Sequence, residues 1–257
     1  MIYEADLDTR KKLFPMFKNM EDTIILSCLQ GHMGTAWVDD LETPTVAQIL
    51  VGDFVFYAGN PYAKEAEALL YHLPENILAI VDTKEWKNRI ETVHKSSTEK
   101  LKRYKFKKNP EDLNRKYLKN YLSTIPIGYQ LKRIGETLAK EPSLHEISED
   151  FIGQFDSIDD YIKRGVGFCI LYKGQVVCGA SSYSIYDDGI EIEIGTHSKH
   201  RRHGLATIAA AALIIDCLDN GLYPSWDAAN LESVKLAQKL GYILDEPYDT
   251  YYIKYKK

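Results

Sequence analysis

The chain has 257 residues, 45% hydrophobic and 27% charged, with a net charge of −5 at pH 7 and a pI near 5.8. That is a globular balance, long enough for one large domain or two small ones. The acidic excess argues against a nucleic-acid or anionic-membrane binder, classes that carry a basic surplus.

The start, "MIYEADLDTRKKLF", is acidic and broken by charge, which is not the pattern of a signal peptide, so a cytoplasmic protein is expected. The segment opens as a helix. "TAWV" and "DFVFYAG" follow as strands, with Asp39, Asp40 and the Pro44 region as their connection. "AKEAEALLYHL" has helical spacing, "NILAIVD" is a buried-strand run, and "TKEWKNRIETV" is a helix with Thr83 as its N-cap. The basic stretch "KSSTEKLKRYKFKKNPEDL" holds a strand near 102–107 that Asn109-Pro110 breaks. Its basic-aromatic interleaving resembles a nucleic-acid platform, but an edge strand with lysines outward and Tyr104 and Phe106 inward accounts for the same pattern. "DLNRKYLKNYLSTIP" is a helix ending before Pro126, and the domain boundary is expected here, dividing the chain into 1–122 and 123–257.

The second half alternates more clearly. "GYQLKRIG" is a strand, and an acidic helical stretch runs through "FDSIDDYIKRG". Three strands follow in "GFCILYKGQVVCGASSYSIYDDGIEIEIGT", turning at Lys173-Gly174 and Asp187-Asp188-Gly189. A helix spans about Gly204 to Asn220 and is closed by Gly221. Its apolar core, "LATIAAAALII", is far shorter than the roughly 20 residues of a membrane span. A short strand lies in "YPSWDAAN", Asn230 caps "LESVKLAQKL", and "GYILDE" and "TYYIKYK" close the chain as two strands. The two-strand pattern around "TAWV" and "DFVFYAG" loosely echoes "GFCILYKGQVVCGAS", which suggests a duplicated and decayed half. The cysteines, Cys28, Cys169, Cys178 and Cys217, form no CxxC pair and read as small buried hydrophobes.

The chemistry concentrates in "GTHSKHRRHGLA", Gly195 to Ala206. An apolar strand runs through a short loop into a helix that begins at a glycine. The helix start offers unpaired N–H groups and the positive end of the macrodipole, which together bind phosphate. Gly204 admits close approach, and Arg201 and Arg202 add positive potential. His197, His200 and His203 are loop histidines with no cysteine or carboxylate to complete a metal shell, so no metal is expected.

The order Arg201-Arg202-His203-Gly204-Leu205-Ala206 resembles the R/Q-x-x-G-x-G/A loop of the GNAT acetyltransferases. "NLESVKLAQKLGY" resembles that family's asparagine element. The wider set "GVGFCIL", "EIEIGTHSKHRRHGLA" and "PSWDAANLESVKLAQKLGY" looks like the GNAT subfamily that includes the zwittermicin A resistance acetyltransferase. The resemblance implies an α+β fold: a mixed, mostly antiparallel GNAT sheet flanked by helices, behind an N-terminal α/β domain. It implies an acetyl-CoA-dependent N-acetyltransferase acting on a primary amine of a small molecule, with no nucleic-acid or membrane partner and no stated oligomeric state.

On this reading the cofactor residues are Ile194, Thr196, Arg201, Arg202, His203, Gly204, Leu205, Ala206, Asn230 and Ser233, with acetyl-CoA as cosubstrate. Glu191 and Glu193, on the polar face of "IEIEIG", are the candidates for accepting the amine proton, and the choice between them is open. A backbone N–H near Ile194 or Thr196 would polarise the thioester oxygen. One position departs from the family: seven residues after Asn230, where many members carry a tyrosine acid, stands Ala237. Tyr242, Tyr248, a water or an unassisted thiolate would have to serve. A catalytically inactive CoA-binding sensor or interaction module is the alternative.

Overall fold

The structure is a computed structural model that describes residues 1–254. The chain forms two compact units. The first comprises Met1–Arg103 and the C-terminal residues from Pro247, and the second comprises Tyr104–Glu246.

In the first unit, β1 (Tyr3–Glu4) leads to helices α1 (Leu7–Phe17) and α2 (Thr23–Leu29). A meander of β2 (Thr35–Val38), β3 (Val46–Val51) and β4 (Phe54–Gly59) follows. Helix α3 (Ala66–Tyr71) crosses over to β5 (Asn76–Ile80), which runs parallel to β4, and α4 (Lys84–Val93) and β6 (Thr98–Phe106) come next. Thr83 caps α4 as expected, its hydroxyl accepting from Trp86 N at 3.2 Å. Strand β3 was not anticipated. Val46–Val51 is buried on both faces between β2 and β4, so it lacks the alternation that marks a half-exposed strand.

In the second unit, α5 (Arg115–Leu122) precedes β7 (Tyr129–Arg133), and the acidic stretch folds as α6 (Glu136–Ala139), α7 (Pro142–His145) and α8 (Ile158–Arg164). β8 (Gly167–Tyr172), β9 (Gln175–Tyr186) and β10 (Gly189–Thr196) form an antiparallel meander. Helix α9 (Leu205–Asp219) crosses to β11 (Tyr223–Ser225), parallel to β10, and α10 (Leu231–Leu240) follows. The sheet order is β11-β10-β9-β8-β7, mixed and mostly antiparallel as expected. Helix α9 buries its alanine-rich run, Ala209 to Ala212, against this sheet; the small side chains allow close helix–sheet approach.

The first unit repeats this order: one strand, helices, a three-strand antiparallel meander, a helix, a parallel strand, then a helix. Its sheet runs β1-β2-β3-β4-β5 and continues with β12 (Leu244–Lys254) and β6. β12 is one strand where two were expected, and Tyr251–Lys254 pair with Asn76–Ala79 of β5. The last residues of the expected "TYYIKYK" strand lie outside the described residues.

The units therefore divide at 103/104 and 246/247, not at 122/123. Helix α5 packs on α9, and the Arg115 guanidinium binds the Leu218 carbonyl and the Asp219 carboxylate, which places 115–122 in the second unit. Tyr251 and Ile253 are fully buried in the core around Trp86 and Ile90, which places the C-terminal strand in the first.

Candidate active site

The second unit's site begins where two parallel strands part. β10 and β11 pair only from Gly189–Tyr223 to Glu191–Ser225, and β10 then runs five residues further to Thr196. Helices α9 and α10 both begin at this splay. A cavity of about 550 Å³ lies there. It is lined by Ile194, Gly195 and Thr196 from β10, by His200, Arg201, Arg202 and Gly204 from the loop, by Leu205, Ala206 and Thr207 from α9, and by Asn230, Glu232, Ser233 and Leu236 from α10. Every residue expected to hold the cofactor borders it except His203.

The loop geometry suits an anion. Arg202 (φ 64°) and Gly204 (φ 76°) are both left-handed, so the loop turns sharply just before the helix start. No atom lies within 4 Å of where a Gly204 Cβ would stand, so that side of the helix start is open. The first N–H groups of α9 have no carbonyl of their own helix to bind. His203 departs from expectation. Its Nδ1 lies 2.9 Å from the Arg201 carbonyl and 3.2 Å from that of His200, so the ring is spent on closing the loop.

His200 is also held. Its Nδ1 lies 2.9 Å from the Tyr129 hydroxyl, and its ring packs against Tyr129 and Tyr172. Burial, then the neighbouring His197, His203 and Lys199, keep it below the usual histidine range. Among the described residues no three His, Cys, Asp or Glu side chains converge as a metal site.

At the far wall, Asn230 caps α10 through Oδ1, which accepts from Ser233 N at 2.9 Å. The Trp226 indole N–H donates to Ser233 Oγ at 3.1 Å, which leaves the Ser233 proton available for another acceptor. Trp226, itself buried, thereby orients a cavity side chain.

The two glutamates part company. Along β10, Glu193 and Gly195 face the 147–151 turn: Ser148 Oγ donates to Glu193 Oε1 at 2.8 Å, and a Cβ on Gly195 would meet Ile147. Glu193 is half-buried and directly precedes Ile194 of the cavity wall. Glu191 is buried at 6% exposure, and the β9–β10 register shifts beside it, with Tyr183 as the extra residue on β9. Burial, reinforced by the Glu191 carboxylate, holds Tyr186, Tyr223 and Tyr242 above the usual tyrosine range. Sequence alternation puts both glutamates on one face and carries no information about this difference in burial.

One named alternative for a proton donor is committed elsewhere, and the family's tyrosine position supplies none. Ala237 is fully buried on α10. Tyr242 is also buried, donates to the Pro224 carbonyl, and is wedged between Phe106 and Trp226.

The GNAT acetyltransferase family profile matches residues 14–251. The chain belongs to the GNAT acetyltransferase family. A GCN5-related N-acetyltransferase-like protein from Streptococcus suis 89/1591 is 37% identical, with a TM-score of 0.88 over 96% of this chain and 98% of that one. An uncharacterized N-acetyltransferase, YdfB, from Bacillus subtilis (strain 168) is 29% identical over 169 residues, 65% of this chain. That match spans 62% of YdfB's length. A tandem GNAT protein from the clavulanic acid biosynthesis pathway shares the fold at 14% identity, with a TM-score of 0.51 over 85% of this chain and 81% of that one. Within a GNAT fold, the mixed sheet and the β10–α9 junction match what the loop residues implied. Among the described residues no helix is long and apolar enough to cross a membrane.

Proposed function

We propose that this GNAT protein moves an acetyl group from acetyl-CoA to a primary amine of a small molecule. The observation that carries the reading is the cavity at the splay, where the Arg202–Gly204 turn, the open face of Gly204, Asn230 and Ser233 meet. The donor set fits acetyl-CoA: main-chain N–H groups and two arginines for a pyrophosphate, and a polar wall on α10 for an amide-bearing arm. Acetyl-CoA, when bound, supplies a thioester carbonyl for the amine to attack and a thiolate of pKa about 8.5, acidic enough to depart unprotonated.

The chain's own contribution is orientation and proton removal. A primary amine of pKa about 10 is roughly 0.1% neutral at pH 7, so freeing it costs about 4 kcal/mol. Glu193 takes that proton, because it is half-exposed and the Ser148 hydroxyl fixes one of its oxygens. Glu191, buried beside the register shift, serves the sheet.

Calorimetric titration with acetyl-CoA tests the binding half: no heat at millimolar ligand would sink it. Glu193→Gln should lower kcat about 10²- to 10⁴-fold and leave acetyl-CoA affinity within a few-fold. Equal activity of Glu193→Gln and wild type would remove Glu193 from its role. Acetyl-CoA binding without thiol release across a broad panel of amines would favour the non-catalytic CoA-binding module.

A further inference from the structure

The two units share one order of strands and helices, so each has a splay at the same place in that order. In each, the last strand of the meander pairs in parallel with the strand after a helix and then outruns it. β10 continues past its Glu191–Ser225 pair, and β4 past its Phe56–Ile80 pair. In each, the next helix opens with a side-chain cap on the amide three residues on. Asn230 receives Ser233 N, and Thr83 receives Trp86 N. Ser233 and Trp86 therefore hold the same position of equivalent helices.

Ser233 borders the cavity of the second unit. Trp86 fills the corresponding space of the first. It is 1% exposed, and its ring stacks on Tyr57 of β4 at 5.3 Å and 21°. Its indole N–H donates to the Gly59 carbonyl at 3.0 Å. Gly59 lies on the overrunning end of β4, as Ile194 and Thr196 lie on that of β10. The anion end is gone as well. Between β4 and α3, Pro61 carries no N–H, and Glu65 and Glu67 flank the start of a six-residue helix where α9 has arginines and Gly204.

We infer that the first unit is a second cofactor-type groove filled by the chain's own Trp86, so that each chain takes one acetyl-CoA, at the β10–α9 junction. The inference rests on the acetyl-CoA reading above. A serine at the Trp86 position would leave the α4–β4 space open; the indole instead presents one donor to a main-chain carbonyl and covers Tyr57, leaving no room for an incoming arm.

The test is calorimetric titration of the full chain with acetyl-CoA, as wild type and as Gly204→Glu, with circular dichroism as the check on folding. One equivalent for wild type and none for the variant are expected. Two equivalents for wild type, or one retained by a folded Gly204→Glu, overturn the filled groove and leave acetyl-CoA binding standing. No binding by wild type overturns the functional reading, and this inference with it. Fluorescence supplies a readout that does not depend on stoichiometry. Trp226 touches Ser233, so acetyl-CoA should change its emission, and Trp86→Phe should keep that change at full amplitude while Trp226→Phe loses it. Loss of the ligand-induced change in Trp86→Phe would place the ligand in the first unit.

Discussion

Arg202 shows most clearly how one residue divides stability from function. Its φ of 64° lies in the left-handed region, which costs a non-glycine residue roughly 1–2 kcal/mol. Nothing in the local turn demands an arginine; the cost is held at the cavity wall, where the side chain also supplies positive potential. Arg202→Gly should therefore raise thermal stability by up to about 1 kcal/mol, since the greater freedom of unfolded glycine offsets part of the relief. The same change should weaken acetyl-CoA binding several-fold by removing a cation beside the helix start. Melting and titration read the two effects separately. Lower stability in Arg202→Gly would show that the arginine makes a native contact worth more than its strain.

At the scale of elements, the basic strand β6 looked most like a binding surface and is best explained by its neighbours. Lys102, Lys100 and Lys87 reach Asp249 at 2.6, 3.0 and 3.5 Å. The Lys102 hydrogen bond first, then those of Lys100, bring Asp249 from 3.8 to about 2 against the cost of burial. A depressed carboxylate contributes stability that is present above its unfolded pKa and lost as pH falls through its folded one. The gap in urea stability between wild type and Asp249→Asn should therefore be on the order of 2 kcal/mol near neutrality and close as pH drops from about 4 to 2. A gap that persists at pH 2 would assign it to packing. The lysines were legible as a charged run, but Asp249 is almost 150 positions away, and no local pattern connects them. The caps Thr83 and Asn230 were legible because capping chemistry acts within three residues. The same holds for Gly204, whose left-handed φ and open face lie at the start of its own helix. Glu191 and Glu193 could not be told apart, because the burial of one and the Ser148 partner of the other are decided by segments that meet only in the fold.

At the scale of the molecule, the C-terminal strand decides where the units divide. The chain leaves the first unit after Arg103, builds the second, and returns at Pro247 to complete the first unit's sheet. A sequence boundary is drawn where composition changes, and the basic, proline-bearing stretch after Lys95 offered one. A strand that pairs with a partner some 175 residues earlier leaves no such mark. Tyr251 shows what the return secures. It is fully buried among Trp86, Ile90 and Ile77, pairs with Ala79, and its hydroxyl donates to Glu91 Oε1 at 2.9 Å. Truncating a buried aromatic of this kind costs about 3–5 kcal/mol, and here it also strips Glu91 of a donor. Tyr251→Ala should therefore destabilise the first unit by about that much. The change belongs in the emission of Trp37 and Trp86, followed through urea unfolding in a Trp226→Phe background. Acetyl-CoA binding at the β10–α9 junction, followed by calorimetry with Trp226 intact, should survive wherever the variant is folded, because no residue of that cavity comes from β12. An unchanged Trp86 transition in Tyr251→Ala would mean that the first unit's core is complete without its last strand.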